Sequence, residues 1–339
     1  MGILHDDYQD ELLDSWQDGT MPMGIGIDCD LDKHLRFKKG QFNITLGHDN
    51  VGKTFFEVWY YTILAIKTGF EFTIYCTENQ VWSIKSKIIS FYSNQDIKKL
   101  DKKEYYAARN WMSHHFKFID TSRNYTIPQL LDVCSKQQNS KAFLFDPYNS
   151  INRVKGYDAH TYDYEMASLV RLFCNQNNQT ININMHSISE SQRFTYRDGD
   201  FKGLQSPPIK AHAEGGGKWA NRCDDFKIIH RYWKTGYSNK TVVMIDKIKE
   251  TETGGERTFI TDPLFFDFDK INGFGFSING KNPLLMHEVK QQEEVFNPRG
   301  GFENVISEEV VFDKESGETF ERIERMDSEG NIKIEDKPF

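Results

Sequence analysis

One segment constrains this chain more than any other. Gly47-His48-Asp49-Asn50-Val51-Gly52-Lys53-Thr54 fits GxxxxGK[ST] at every fixed position. It follows an apolar run at 42–46, expected as a strand, and opens a helical pattern at 53–68. That strand–loop–helix order is the context such a loop requires. Glycines let successive backbone N–H groups curl around phosphate oxygens. The helix start adds its dipole and its unpaired donors. Lys53 is expected on the β- and γ-phosphates of ATP or another NTP, and the Thr54 hydroxyl on Mg²⁺. Gly47, His48, Asp49, Asn50, Val51, Gly52 and Phe55 complete the expected cradle. A second glycine pair, Gly24-Ile25-Gly26, lacks the third glycine of a dinucleotide fingerprint and is set aside.

Around that loop, short apolar or β-branched runs alternate with helical patterns. Strands are expected at 42–46, 72–76, 116–119, 142–145, 180–185, 226–230 and 241–246. Helices are expected near 53–68, 80–93, 102–113, 127–138 and 162–177. Strand then helix, repeated, implies the α/β class: a mostly parallel twisted sheet flanked by helices. The 339 residues, 14% of them aromatic, suffice for one large α/β domain with appendages and exclude wholesale disorder. The expected organisation is a lead-in or linker helix at 1–35, a core at 36–272, and an extension at 273–339 closing in a disordered acidic tail. The lead-in holds one short amphipathic stretch: Tyr8, Leu12, Leu13, Trp16. The polar stretch 192–214 is long for a connection inside a compact domain, so it is expected to be functional or mobile. Gly215-Gly216-Gly217 then marks a hinge or a tight backbone approach.

Composition narrows the class of partner. The longest nearly apolar run, 58–66, is far short of the roughly 18 residues a membrane span needs, so no membrane association is expected. An acidic start (Asp6, Asp7, Asp10, Glu11, Asp14) argues against a signal or transit peptide. The five cysteines at 29, 76, 134, 174 and 223 are too widely spaced for zinc modules or a disulfide scaffold, and read as buried thiols in a reducing cytoplasm. Net charge is −8; residues 287–339 hold 15 acidic and 7 basic residues and account for all of it. The body is therefore neutral, which disfavours a strongly basic nucleic-acid coat protein but leaves room for a local basic path.

Further along, the apolar strand 142–145 ends in Asp146, where a carboxylate can hold Mg²⁺ beside the phosphate loop. The strand 72–76 leads to Glu78, which could polarise the water attacking a γ-phosphate or could simply favour a helix start. The alternating strand 180–185 ends in His186, placed to sense the γ-phosphate and signal to the following loop. That loop carries Arg193, Arg197, Lys202 and Lys210 among Phe194, Tyr196 and Phe201, a mixture suited to single-stranded nucleic acid. Glu190, Asp198 and Asp200 nearly cancel its charge, so a plain solvated loop is the competing reading. Lys247 and Lys249 follow the strand at 241–246. They read either as protection of a sheet edge or as cations reaching a neighbouring subunit's phosphate.

This ordered set resembles the RecA-like motor domain of DnaB-type hexameric replicative helicases (superfamily 4), including phage helicases and mitochondrial Twinkle. The resemblance covers about 20–270. It runs through GIDCDLDKHLRFKKG, GHDNVGKT, YCTEN, FLFDP, NMHSI, GGGKWANRCDD and the Lys247-Ile248-Lys249 step with its Thr253-Gly254-Gly255 turn. It implies that Lys53 and Thr54 bind nucleotide and Mg²⁺, that Glu78 is the catalytic base, Asp146 the Mg²⁺ carboxylate and His186 the phosphate sensor. It implies that the loop after His186 faces a central channel holding single-stranded DNA, and that Lys247 and Lys249 act in trans within a homo-oligomer, a hexamer. The family's trans-acting arginine falls where Lys249 stands, and lysine lacks the bidentate fork. Arg231 is the alternative finger. Some 35 residues before the core leave no room for a primase-like or zinc module.

The implied activity is an ATP-dependent DNA helicase of replication. The alternatives are a RecA/RadA-like recombination ATPase, or a scaffold or virion ATPase that has lost DNA unwinding. The acidic ending Glu335-Asp336-Lys337-Pro338-Phe339 resembles tails that dock on a polymerase, a primase or another replication protein; a solubilising tail is the plainer reading.

Overall fold

In the computed structural model the described residues are 7–270, 274–285, 304–312, 319–326 and 332–338. The chain divides into two compact units, Met1–His287 and Glu288–Phe339. Helix α1 (Asp7–Gln17) leads in. The residues after it are part of the body: Ile27, Leu31, Leu35 and Phe37 are fully or almost fully buried.

The core follows as β1 (Phe42–Gly47), α2 (Lys53–Thr68), β2 (Glu71–Cys76), α3 (Val81–Tyr92), α4 (Lys102–His115), β3 (Phe116–Phe118), α5 (Ile127–Ser135), β4 (Ser140–Asp146), α6 (Ala159–Asn177), β5 (Thr180–His186), α7 (Gly217–Arg222), β6 (Asp225–His230), β7 (Lys240–Lys247), β8 (Leu264–Asp269) and β9 (Gly275–Ser277). They form one nine-stranded sheet of order β3-β2-β4-β5-β1-β6-β7-β8-β9. The first six strands in that order pair in parallel and the last three join antiparallel. All seven strands read from the sequence are present, as are the five helices, with shifts of a few residues at their ends.

Strand alternation builds two cores. In β4, Ala142 and Leu144 face one side while Phe143 and Phe145 face the other. The first side is covered by α2, α3 and α4, the second by α5, α6 and α7. Helix α2 is buried through most of its length because it lies against the sheet and against β8 and β9, where Phe56 and Trp59 pack on Phe266 and Phe276. The expected core boundary at 272 therefore falls too early. Phe274, Phe276, Ile278 and Leu284 are buried members of the first core.

Strands β10 (Asn304–Phe312), β11 (Thr319–Met326) and β12 (Ile332–Pro338) form a three-stranded antiparallel sheet. β-Branched residues such as Val310, Val311, Ile323 and Ile334 favour strands, and the register sets Glu309 opposite Arg322 and Arg322 opposite Asp336. Phe339, read as an aromatic plug, lies outside the described residues.

Candidate active site

Strand β1 runs between β5 and β6, so the loop at its C-terminal end is flanked by the ends of both. Gly47 has no room for a side chain: a Cβ there would stand 2.5 Å from Ile229 O and 2.8 Å from Val51 Cγ2. Gly52 closes the loop in the left-handed region at φ 95°, just before α2. Lys53 is buried, and its Nζ donates to Gly47 O at 3.1 Å and His48 O at 3.0 Å. Burial lowers its pKa, with Asp146, Glu78 and Asp49 opposing. The ammonium is thus held inside the curl of its own loop.

Asp146 ends β4, two strands from β1. It is 1% exposed, and burial raises its carboxyl pKa. Thr54 Oγ1 donates to its Oδ2 at 2.5 Å, while Oδ1 is buried without a hydrogen-bond partner. A hydroxyl and a carboxylate, with an unsatisfied oxygen between sheet and helix, are the hard-oxygen donors that suit Mg²⁺. No group of three or more His, Cys, Asp or Glu among the described residues is arranged to hold a metal.

His186 stands between two acids. Its Nδ1 lies 2.5 Å from Asp49 Oδ1 and its Nε2 2.9 Å from Glu78 Oε1. Glu78 and His186 from two strand ends, with Asp49, Asn50, Gly52, Lys53 and Thr54 of the loop, therefore line one cleft of about 1060 Å³, joined by Asn79, Asn149 and Gln192, while Asp146 stays buried against the Thr54 hydroxyl and reaches the cleft only through it. Phe55 also reaches the cleft and packs behind it on Phe91 and Phe268.

His48 links this cradle to the loop after β5. The Ser191 hydroxyl is committed to Ile188 O at 2.7 Å, so it can only accept from His48 Nε2, 3.1 Å away. The loop is better ordered than its composition implied. Tyr196 pairs with Gly203 and Leu204 through the backbone, and Phe201 stacks on Tyr232 at 4.1 Å. Tyr196 and Phe201 are therefore half-buried and packed on the second core, while Phe194 stays exposed among the cations. Arg193, Arg197 and Lys202 are exposed, whereas Lys210 is half-buried with Nζ on Asp246.

The two distal lysines are not brought to this cleft. Lys247 Nζ donates to Ala220 O, Asn221 O and Cys223 O at 3.0, 3.1 and 2.6 Å, closing the C-terminus of α7. Lys249 Nζ lies 3.2 Å from Asp224 Oδ1, an acid also paired with Arg171 at 2.7 Å. Arg231, just past β6, has a buried Nε without a partner. The five cysteines are buried and free, as their spacing suggested.

Residues the sequence reading missed lie beneath α2. Lys227 Nζ sits 2.6 Å from Glu57 Oε1, with side chains 4% and 0% exposed. Thr45, Asn182 and Asn184 are fully buried beside them. Their signal was present: polar side chains at every second position of β5, and a lone Glu in an apolar helix.

No family model matches the sequence, and no curated protein matches it. Among solved structures, the chain is similar to the ATPase domain of G40P, with a TM-score of 0.65 at 12% identity, covering 82% of this chain and 99% of that one. It is also similar to a DnaB-like replicative helicase, described with its interactions with primase, with a TM-score of 0.61 at 12% identity, covering 81% of this chain and 67% of that one. The nine-stranded sheet flanked by helices is the RecA-like fold of those ATPase domains.

Proposed function

We propose that this chain, which has the fold of DnaB-like helicase ATPase domains, hydrolyses nucleoside triphosphates and spends the cycle moving along single-stranded DNA as a ring-forming helicase. The observation that carries the reading is convergence: Lys53, Thr54, Glu78 and His186 come from three elements and line one cleft, and Asp146 of a fourth is bonded to Thr54 at its edge.

Lys53 leaves the carbonyls of Gly47 and His48 for the β- and γ-phosphates, which the loop N–H groups also grip. Thr54 and Asp146 hold Mg²⁺, which when bound neutralises charge on the phosphate oxygens. Glu78, open to the cleft, orients the attacking water and accepts its proton. Little covalent chemistry is asked of the protein; positioning and charge stabilisation carry the step. His186, between Glu78 and Asp49, senses the γ-phosphate and passes its loss to the loop it introduces. In a homo-oligomer, Lys249 or Arg231 completes the neighbour's pocket. Lys247 is already engaged by three carbonyl groups.

The test is hydrolysis with and without single-stranded DNA. Lys53→Ala is expected to weaken nucleotide binding at least tenfold. Glu78→Gln should bind nucleotide normally and lose at least 100-fold in turnover. Turnover by Glu78→Gln equal to wild type would remove Glu78 from this role. A scaffold that has lost DNA work is the second reading, supported by the inward packing of Tyr196 and Phe201; no stimulation by DNA at low salt, where phosphate contacts are strongest, would favour it. Closed rings rather than filaments in negative stain separate the helicase from a recombination ATPase.

A further inference from the structure

The sheet face beneath α2 carries a line of buried polar groups ending at Asp146. Strand alternation puts Thr45 of β1, Asn182 and Asn184 of β5, and Lys227 of β6 on that face, where Glu57 of α2 meets them. The links are short. Lys227 Nζ lies 2.6 Å from Glu57 Oε1. The Thr45 hydroxyl is shared between Glu57 Oε1 at 2.6 Å and Asn182 Oδ1 at 3.2 Å. Asn182 Nδ2 donates to Asn184 Oδ1 at 3.3 Å. Both oxygens of the two amides are thereby committed, and the Nδ2 of Asn184 is left buried with no hydrogen-bond partner.

Beside it stands Asp146: β4 and β5 run in parallel with Leu144 opposite Asn182, which carries Asp146 alongside Asn184 on the same face, and its Oδ1 is likewise buried and unpartnered. Thr54 holds Oδ2 from the other side. When the Thr54 hydroxyl turns to a cation, Asn184 is the neutral donor left to fix the carboxylate. A polar group buried at this depth costs stability unless it is used, and five such residues in one line are not explained by packing.

We propose that Asn184 is a positioning residue that holds Asp146 in the orientation needed for Mg²⁺, and that Asn182, Thr45 and the Glu57–Lys227 pair fix the plane of its amide. The proposal rests on the reading of Thr54 and Asp146 as the cation side of the nucleotide site. Supporting groups of this kind set metal affinity by about 10- to 100-fold elsewhere.

The experiment uses the full chain and a fluorescent non-hydrolysable triphosphate, titrated to equilibrium in EDTA and in Mg²⁺. Wild type is expected to bind more tightly with Mg²⁺. Asn184→Leu, similar in shape but without the donor, should keep the EDTA affinity within about twofold and lose about tenfold of the Mg²⁺ gain. Thr45→Val, two links further back and nearly isosteric, should lose a smaller part of the same gain and keeps the measurement available if Asn184→Leu does not fold. An undiminished Mg²⁺ gain in either folded variant overturns the proposal. A wild type with no Mg²⁺ gain strikes instead the assignment of Thr54 and Asp146, and the proposal with it.

Discussion

His230 ends β6 with 1% of its surface exposed, and its Nε2 donates to Gln205 O at 3.2 Å. The ring meets His48 edge-on at 5.8 Å. Burial, with His48 alongside, lowers its pKa from 6.5 to about 4. Between those values the unfolded chain binds a proton that the folded chain refuses, so stability is present above pH 6.5 and lost as pH falls towards 4. Wild type should lose about 2 kcal/mol from this residue between pH 7 and pH 5. His230→Gln, which keeps a donor for Gln205, should show a shallower loss in urea titrations at the two pH values. Equal slopes would mean that His230 titrates normally in the fold. The same crowding explains Gly47, where the approach of Ile229 O leaves a Cβ no space.

Among the elements, the junction of β7 and α7 shows how a cation can be read two ways. A lysine past a strand end suggested a partner's phosphate, yet Lys247 is spent on the last carbonyl groups of α7, only six residues long. Carbonyl groups at a helix C-terminus lack intrahelical donors, and an ammonium both satisfies them and opposes the dipole. Lys247→Met should therefore cost about 2 kcal/mol of stability, measured by chemical denaturation of the isolated chain. A variant as stable as wild type would release Lys247 for action between subunits. The loop after β5 follows the same logic. Two of its aromatic residues found partners at home, Phe201 on Tyr232 and Tyr196 through its hydroxyl to Tyr232, so its outward face is left to Arg193, Phe194, Arg197 and Lys202.

For the whole molecule, the division after His287 carries a prediction of its own. Among the described residues, both hydrophobic cores are built from residues no later than Leu284. A chain ended at 287 should unfold cooperatively with a midpoint within about 2 °C of the full chain, a shift of about 1 kcal/mol or less. It should bind nucleotide as tightly. A large fall in the midpoint would show that 288–339 stabilise the body. The same cut removes the whole excess of negative charge, leaving a neutral body, so weaker repulsion of DNA at low salt is its expected companion.

The loop Gly47–Thr54, the alternating strand and helix patterns, and the carboxylates at strand ends were legible because each is local: a turn needing glycine, a periodicity, an acid closing an apolar run. From these the α/β class and most of the cleft followed. Four things were decided only by packing. Asp49, His186 and Glu78 became neighbours because β1, β5 and β2 end at one edge of the sheet. Asn184 came to face Asp146 because β5 lies beside β4. Lys247 and Lys249 turned to α7 and Asp224, and β9 carried the core past residue 272. Polarity and period are written along the chain, but which unsatisfied donor meets which acceptor depends on strand order, and that order is set by contacts between residues far apart in sequence.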